Sequence, residues 1–313
     1  MAIVKTENAR KDIPLVSIIA VCYNHSKYVV ETFDSILNQT YANIELVIID
    51  SNSPDNSAEV IENWIRRNKV KCTFIRQTEP KNVCQNLNEG LQYVHGKYYQ
   101  GISCDDILLP DKIEHQVAVM ENDPEVGLIF GNAILIDENS YDLGKLYSND
   151  NLVYGYFINN RINTELEKTN FIPATSVLIR KKCQENIGFY DEDIGYEDWD
   201  YWLRIANSDW NICFNYQLNS KYRVLSNSLW NYNNYMMLIS TIKFYQKHGI
   251  IKKNNSIISF FRDFKILDKS GQRKVYEYIK SNSCSRLAFI FWLSMRVKYK
   301  SILRIFYNNL ILK

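Results

Sequence analysis

Between residues 14 and 103 the chain switches repeatedly between two hydrophobic periods. PLVSIIAV (14–21) and IELVIID (44–50) are nearly continuous apolar, β-branched runs, the pattern of strands covered on both faces. KCTFIRQ (71–77) and KYYQGIS (97–103) predict two further strands. The segments between them carry apolar residues at helical spacing. Val29, Phe33, Ile36 and Leu37 mark a helix over 27–39, Val60, Ile61, Trp64 and Ile65 one over 57–68, and Val83, Leu87, Leu91 and Val94 one over 82–94. Alternation of this kind predicts an α/β fold with a mostly parallel, Rossmann-like sheet flanked by helices. VGLIFGNAILID (126–137) and PATSVLIRKK (173–182) predict two more strands, joined by a Tyr- and Asn-rich connection over 141–164. EDWDYWLRIAN (197–207) predicts a short helix with Trp199, Trp202, Leu203 and Ala206 inward, and residues beyond about 240 read as amphipathic helices.

In parallel sheets ligands bind beyond the carboxyl ends of the strands. Three polar clusters fall there: CYNH (22–25), DSNS (50–53) and CDD (104–106). Asp105 and Asp106 put two like charges side by side, which burial and mutual repulsion both oppose. Such a pair can bind a divalent cation, Mg²⁺ above all, with phosphate oxygens completing the shell. A helix cap is the alternative, but Asp111 after Pro110 already occupies that position. In EDWD, Glu197, Asp198 and Asp200 crowd a helix start, where the helix dipole favours negative charge. Trp199 and Trp202 would instead give low-dielectric walls that raise a carboxylate toward the range of a general base. The two influences oppose each other, and both readings stand at this point. His25 is expected to be a solvated loop histidine.

The chain has 313 residues, 46% hydrophobic and 23% charged, enough for one large domain with an appendage. Its net charge of +2 conceals a split. Residues 1–240 hold 21 Lys and Arg against 32 Asp and Glu, and residues 241–313 hold 16 against 3. The segment 284–313 has six cations and no acid, interspersed with Phe, Trp, Leu and Ile. It is too interrupted to span a bilayer, but its pattern resembles a helix lying on an anionic membrane surface. A terminal helix pair packed on the domain is the alternative. No recognised module accompanies it, so nucleic acid is not an expected partner. Seven cysteines form no CxxC pair, and four histidines form no HExxH, which favours free thiols in a reducing cytoplasm over disulfides or zinc. The N-terminus lacks the apolar core of a signal peptide.

The ordered series VSIIAVCYN, SILNQTY, ELVIIDSNSPDNS, NLNEGL, the acid pair, TSVLIRKKCQENIGFYDED and YEDWDYWLRIA resembles the family 2 glycosyltransferases over about residues 14–228. The resemblance implies the GT-A fold, a catalytic domain over 12–230 and a helical, basic C-terminal extension over 231–313. It implies an inverting transferase that takes a sugar from a nucleoside-diphosphate donor to a glycan or lipid-linked acceptor, in surface or capsular polysaccharide synthesis. Position by position, Ala20, Cys22 and Tyr23 would line the nucleoside pocket and Asp50 would bond the base or ribose. Asn88 would hold the donor-side loop, Asp105 would contact ribose or metal, and Asp106 would be the main ligand of Mg²⁺ or Mn²⁺. Asp198 would deprotonate the acceptor hydroxyl, with Glu197 beside it. Ser51 stands where relatives often carry a second aspartate that reads the base, and Leu225 where some carry a histidine near the diphosphate. The expected location is the cytoplasm, peripheral at the inner face of the plasma membrane. Two alternatives are a non-catalytic glycan- or lipid-binding protein on this fold and a nucleotide-sugar-forming nucleotidyltransferase. The latter would need a Gly-rich phosphate loop, which CYNHSKY does not provide.

Overall fold

A computed structural model describes residues 13–158, 160–225, 235–250 and 268–281. The chain divides into two compact units, Met1–Ser226 and Asn227–Lys313. The basic segment 284–313 and most of the aromatic run 228–237 lie outside the described residues.

The first unit opens as the hydrophobic pattern predicts. Strands β1 (Val16–Cys22), β2 (Ile44–Asp50), β3 (Thr73–Arg76) and β4 (Tyr98–Ser103) alternate with helices α1 (Val29–Leu37), α2 (Ser57–Asn68) and α3 (Val83–Leu91). β1 pairs parallel with β2 and β4, and β2 with β3, with Cys22 opposite Asp50 and Val21 opposite Ser103. The continuous apolar runs are explained by burial on both faces: every residue of β2 is buried, as are Val16, Ile18, Ile19, Ala20 and Cys22 of β1. Phe33 of α1 packs against Trp64 of α2, with ring centroids 4.8 Å apart and the planes tilted by 57°.

After β4 come the two-residue β5 (Ile107–Leu108), α4 (Lys112–Asn122), the long β6 (Val126–Ile136) and β7 (Asp142–Leu146). They are followed by α5 (Asp150–Ile158), α6 (Ile162–Leu166), β8 (Leu178–Arg180), α7 (Lys181–Ile187), α8 (Glu197–Ala206) and β9 (Asn211–Arg223). The sheet runs β3-β2-β1-β4-β8-β6-β9-β5, with β7 paired to β6. β8 is antiparallel to both β4 and β6, so β6 runs the same way as β4, and β9 is parallel to β6. The carboxyl ends of β1, β2, β4, β6 and β9 therefore share one rim.

Three expectations change. PATSVLIRKK is not one strand but a 3₁₀ turn (Ala174–Ser176), the short β8 and the start of α7. A buried polar network fixes that turn. Lys112 Nζ, fully enclosed, donates to Gln100 Oε1, Gln116 Oε1 and the Val177 carbonyl, while Gln116 Nε2 and Gln100 Nε2 donate to the Ser176 and Thr175 carbonyls. The connection 141–164 contains β7, α5 and part of α6. Asp111 takes the N-cap position of α4 without a side-chain cap bond; its carboxylate lies 3.4 Å from His115 Nδ1 instead.

In the second unit the described helices are α9 (Tyr235–Lys247) and α10 (Lys269–Ser281), in contact with each other, with Lys274 Nζ 4.2 Å above the Tyr235 ring. No described helix is long and apolar enough to cross a membrane. The six described cysteines, 22, 72, 84, 104, 183 and 213, are free thiols.

Candidate active site

The loops leaving β1 and β2 are laced together by short side chains. The Ser53 amide and hydroxyl donate to the two oxygens of Asp50, and Ser53 Oγ accepts from the Asn24 amide. The His25 amide donates to Ser57 Oγ and the Ser26 amide to Asp55 Oδ2. Asn24 (φ 58°) and Asn52 (φ 53°) take the left-handed turns, which asparagine tolerates better than most residues. Asp50 is thus buried and engaged in closing its own loop. Ser51 is also buried: its hydroxyl donates to the Lys81 carbonyl and accepts from the Lys81 amide and Asn86 Nδ2. Ala20 and Cys22 have no exposed surface and belong to the core. Of the residues expected to line a nucleoside pocket, Tyr23 alone presents its side chain openly, 51% exposed. Asn88 pins the 188–194 loop, donating to the Tyr190 carbonyl and Glu192 Oε1 and accepting from the Tyr190 amide.

At the end of β4 Asp106 is buried, and burial followed by the neighbouring Asp105 charge raises its carboxyl well above the ordinary range. One oxygen accepts the Arg223 amide at 2.9 Å. The Arg223 guanidinium, its side chain fully covered, hydrogen-bonds neither carboxylate directly. It donates to the Asp105, Asp137 and Ser140 oxygens, pairs with Glu31 at 2.6 Å and lies 4.5 Å from the Tyr28 ring centroid. Arg223 went unnoticed in the sequence because its partners are mainly backbone groups and a distant acid. His25 is not solvated as expected. Its side chain is only 18% exposed, with Nε2 3.7 Å from Asp105 Oδ2.

The acid pair fits a divalent cation by its chemistry: two adjacent hard-oxygen donors that no guanidinium or ammonium among the described residues binds directly. Among the described residues no group of three or more His, Cys, Asp and Glu is placed to hold a metal. A cation at this pair would complete its shell with phosphate oxygens and water. Leu225, buried, offers no ligand.

Across the rim, α8 presents Glu197 and Asp198. Asp198 Oδ2 accepts Asn170 Nδ2 at 2.7 Å, and Oδ1 accepts the Trp199 amide at 2.6 Å. Burial still raises Asp198 above the ordinary carboxyl range, against those two donors. Glu197, helped only by its own backbone amide, is pushed up to about 8 by burial and the Asp198 charge. On the opposition left open by the sequence, desolvation outweighs the helix start at both acids. Neighbouring acids with unequal proton affinity divide into a protonated partner and an ionised one. Asp200 serves the fold, buried and paired with Arg204, which also donates to the Ile187 and Phe189 carbonyls. Trp199 and Trp202 are buried as the wall.

A continuous set of contacts joins the two acid clusters. Asn170, the donor to Asp198, adjoins Phe171, whose carbonyl accepts Ser148 Oγ at 2.5 Å. The preceding residue, Tyr147, meets Tyr222 edge to face with ring centroids 5.4 Å apart. Tyr222 adjoins Arg223, which bonds Asp105 and Asp106. After burial, the Tyr147 phenol is held protonated by the charges of Asp198, Glu197 and Asp106, and the Tyr222 phenol by those of Asp106, Asp198 and Asp105 among others. Both acid clusters therefore act on one tyrosine pair.

The family model for glycosyl transferase family 2 matches residues 17–187, more than half of the chain. The chain is a family 2 glycosyltransferase. The transferase is 27% identical to an uncharacterised glycosyltransferase of Methanocaldococcus jannaschii over 240 residues, 76% of this chain and 79% of that one. It is 25% identical to the poly-β-1,6-N-acetyl-D-glucosamine synthase of Staphylococcus epidermidis over 313 residues, 99% of this chain and 69% of that one. Among solved structures it resembles a mannosyltransferase of Pyrobaculum calidifontis in complex with GDP-mannose and Mn²⁺. That match has a TM-score of 0.59 at 16% identity, covering 89% of this chain and 76% of the other. The likeness establishes the GT-A fold, and the curled sheet flanked by helices is its form here.

Proposed function

We propose that this transferase moves a sugar from a nucleoside-diphosphate donor to a saccharide or lipid-linked acceptor with inversion at the anomeric carbon. The observation that supports this reading is the Tyr147–Tyr222 contact, a ring pair whose phenols both feel charges of the Asp105–Asp106 pair and of the Glu197–Asp198 pair. Asp198, held ionisable by Asn170 and the Trp199 amide, takes the proton of an acceptor hydroxyl. The acceptor oxygen bonds to the anomeric carbon as the bond from that carbon to the phosphate oxygen breaks, and the nucleoside diphosphate leaves. A single displacement of this kind inverts the centre. Mg²⁺ or Mn²⁺ bound at Asp105 and Asp106 would neutralise charge on the departing diphosphate. Protonated Glu197 orients the acceptor. Asn88 holds the 188–194 loop against the donor side, and Tyr23 is the exposed face for the nucleoside.

Synthesis of a surface polysaccharide is supported by the relative named as a poly-N-acetylglucosamine synthase, and metal dependence by the neighbour that holds Mn²⁺ with GDP-mannose. The catalytic domain is assigned to 12–230 and the extension to 231–313, with 284–313 as a contact to anionic lipid at the inner face of the membrane. A thermal-shift panel of nucleoside diphosphates with Mn²⁺ tests the donor side. At least one should stabilise the wild type in a Mn²⁺-dependent way, and Asp106→Ala should abolish that dependence. Asp198→Asn should keep the shift while transfer falls by about 10²–10⁴-fold. Equal shifts with and without metal, or undiminished transfer by Asp198→Asn, would refute the assignment.

A further inference from the structure

Tyr147 and Tyr222 occupy a position that the chemistry above leaves unused. Tyr147 is held by its backbone, its amide donating to the Ala133 carbonyl at 2.9 Å, where the chain turns from β7 toward α5. Tyr222 is held in β9, paired with Leu135 of β6. The two rings are thus fixed by separate elements and touch edge to face at 5.4 Å. Both side chains are partly covered, and neither phenol makes a hydrogen bond within the described structure, although its surroundings are rich in carboxylates. A phenol O–H so placed is a donor waiting for an acceptor oxygen.

We propose that Tyr147 and Tyr222 form the subsite for the transferred sugar, their hydroxyls donating to oxygens of an uncharged sugar held between the Asp105–Asp106 pair and Asp198. The inference rests on the donor reading given above and deepens it. The sugar of a donor must lie between the diphosphate and the base, and the two rings belong to the series of contacts that links Asp198 to Asp105 and Asp106. Its charge class follows from the neighbours. Among the described residues Glu197 and Asp198 bond no cationic side chain; the partners of Asp198 are Asn170 and a backbone amide. Arg223, the nearby guanidinium, has its three nitrogens engaged by Asp105, Asp137, Ser140 and Glu31 oxygens. A uronate carboxylate would face Glu197 and Asp198 with no positive side chain among the described residues to pair with, which costs far more than placing a neutral hydroxyl there. Phenols that stay protonated give sugar oxygens a donor, and a site built on such donors rejects sugars that cannot use them.

Isothermal titration in Mn²⁺ tests this with UDP-glucose, UDP-N-acetylglucosamine, GDP-mannose and UDP-glucuronate, each compared with its bare nucleoside diphosphate. Tyr147→Phe and Tyr222→Phe keep the rings and remove the donors. The expected result is an unchanged Kd for the nucleoside diphosphate and a loss of about 5- to 10-fold for the neutral nucleotide sugar in each variant. UDP-glucuronate should bind the wild type at least about tenfold more weakly than UDP-glucose, which differs from it at C6 alone. Variants that bind the nucleotide sugar as tightly as wild type, or that weaken sugar and bare diphosphate equally, would overturn the subsite. Equal affinity for UDP-glucose and UDP-glucuronate would overturn its charge class. A wild type that binds the bare diphosphates with Mn²⁺ but none of the sugars would also remove the subsite and leave the metal assignment standing. Failure to bind any of these molecules would remove the donor reading itself. Melting temperatures of the Phe variants, expected within a few degrees of wild type, separate loss of contact from loss of fold.

Discussion

Glu197 and Asp198 are adjacent in the chain yet differ in what surrounds them, and the difference sets a pH dependence. Glu197 has its folded pKa raised to about 8, above the usual value near 4.5. The folded state therefore holds a proton that the unfolded chain releases between about pH 4.5 and 8, so this group's contribution to stability falls as pH rises through that window. Glu197→Gln removes the titration. The variant should melt higher than wild type at pH 8, with the gap closing toward pH 5; a constant gap across this range would contradict the assignment. Asp105, Asp106, Glu197 and Asp198 were legible in the sequence because carboxylates crowded at element ends ask for an explanation. Their partners were not. Asn170 lies 28 residues from Asp198, and Arg223 reaches Asp105 and Asp106 across more than a hundred. Tyr147 and Tyr222 carry no signal among 22 tyrosines until the fold brings the rings together. Ser51 and Asp50 show the converse. Their residue types promise ligand contact, yet the fold engages both in closing loops.

At the scale of elements, the parallel half of the sheet was readable because both-face burial writes continuous β-branched runs. β9 was not readable, although it is the longest strand. NICFNYQLNSKYR mixes polar and apolar positions, Tyr216 sits at φ 57°, and the β6–β9 register shifts three times, which erases any simple period of two. That strand nonetheless delivers Tyr222 and Arg223 to the rim. Its close passage over β6 depends on Gly131, where an added Cβ would collide with the Gln217 carbonyl oxygen and with Asn219 Nδ2. Gly131→Ala should cost about 1–3 kcal/mol and weaken donor binding through the displaced end of β9. Gly155→Ala, inside α5 with nothing within 4 Å of the new methyl, should instead stabilise by about 0.5–1 kcal/mol. Urea denaturation of the two variants checks both signs, and equal effects would contradict the crossing argument.

Across the whole molecule, charge and architecture follow the same division. The acidic first 240 residues carry the four carboxylates, and the excess of positive charge lies beyond 240. An acidic rim is an unfavourable place for an anionic donor unless a cation stands between them, so the metal pair and the donor reading stand or fall together. Anomalous diffraction from crystals of the full chain grown with Mn²⁺ and the nucleoside diphosphate selected by the thermal-shift panel tests this most directly. A Mn²⁺ peak bonded to Asp106 and to a phosphate oxygen, with Tyr147, Tyr222 and Asp198 facing the same cavity, is the result expected. A peak elsewhere, or a nucleotide whose phosphates lie away from Asp105 and Asp106, would contradict the account.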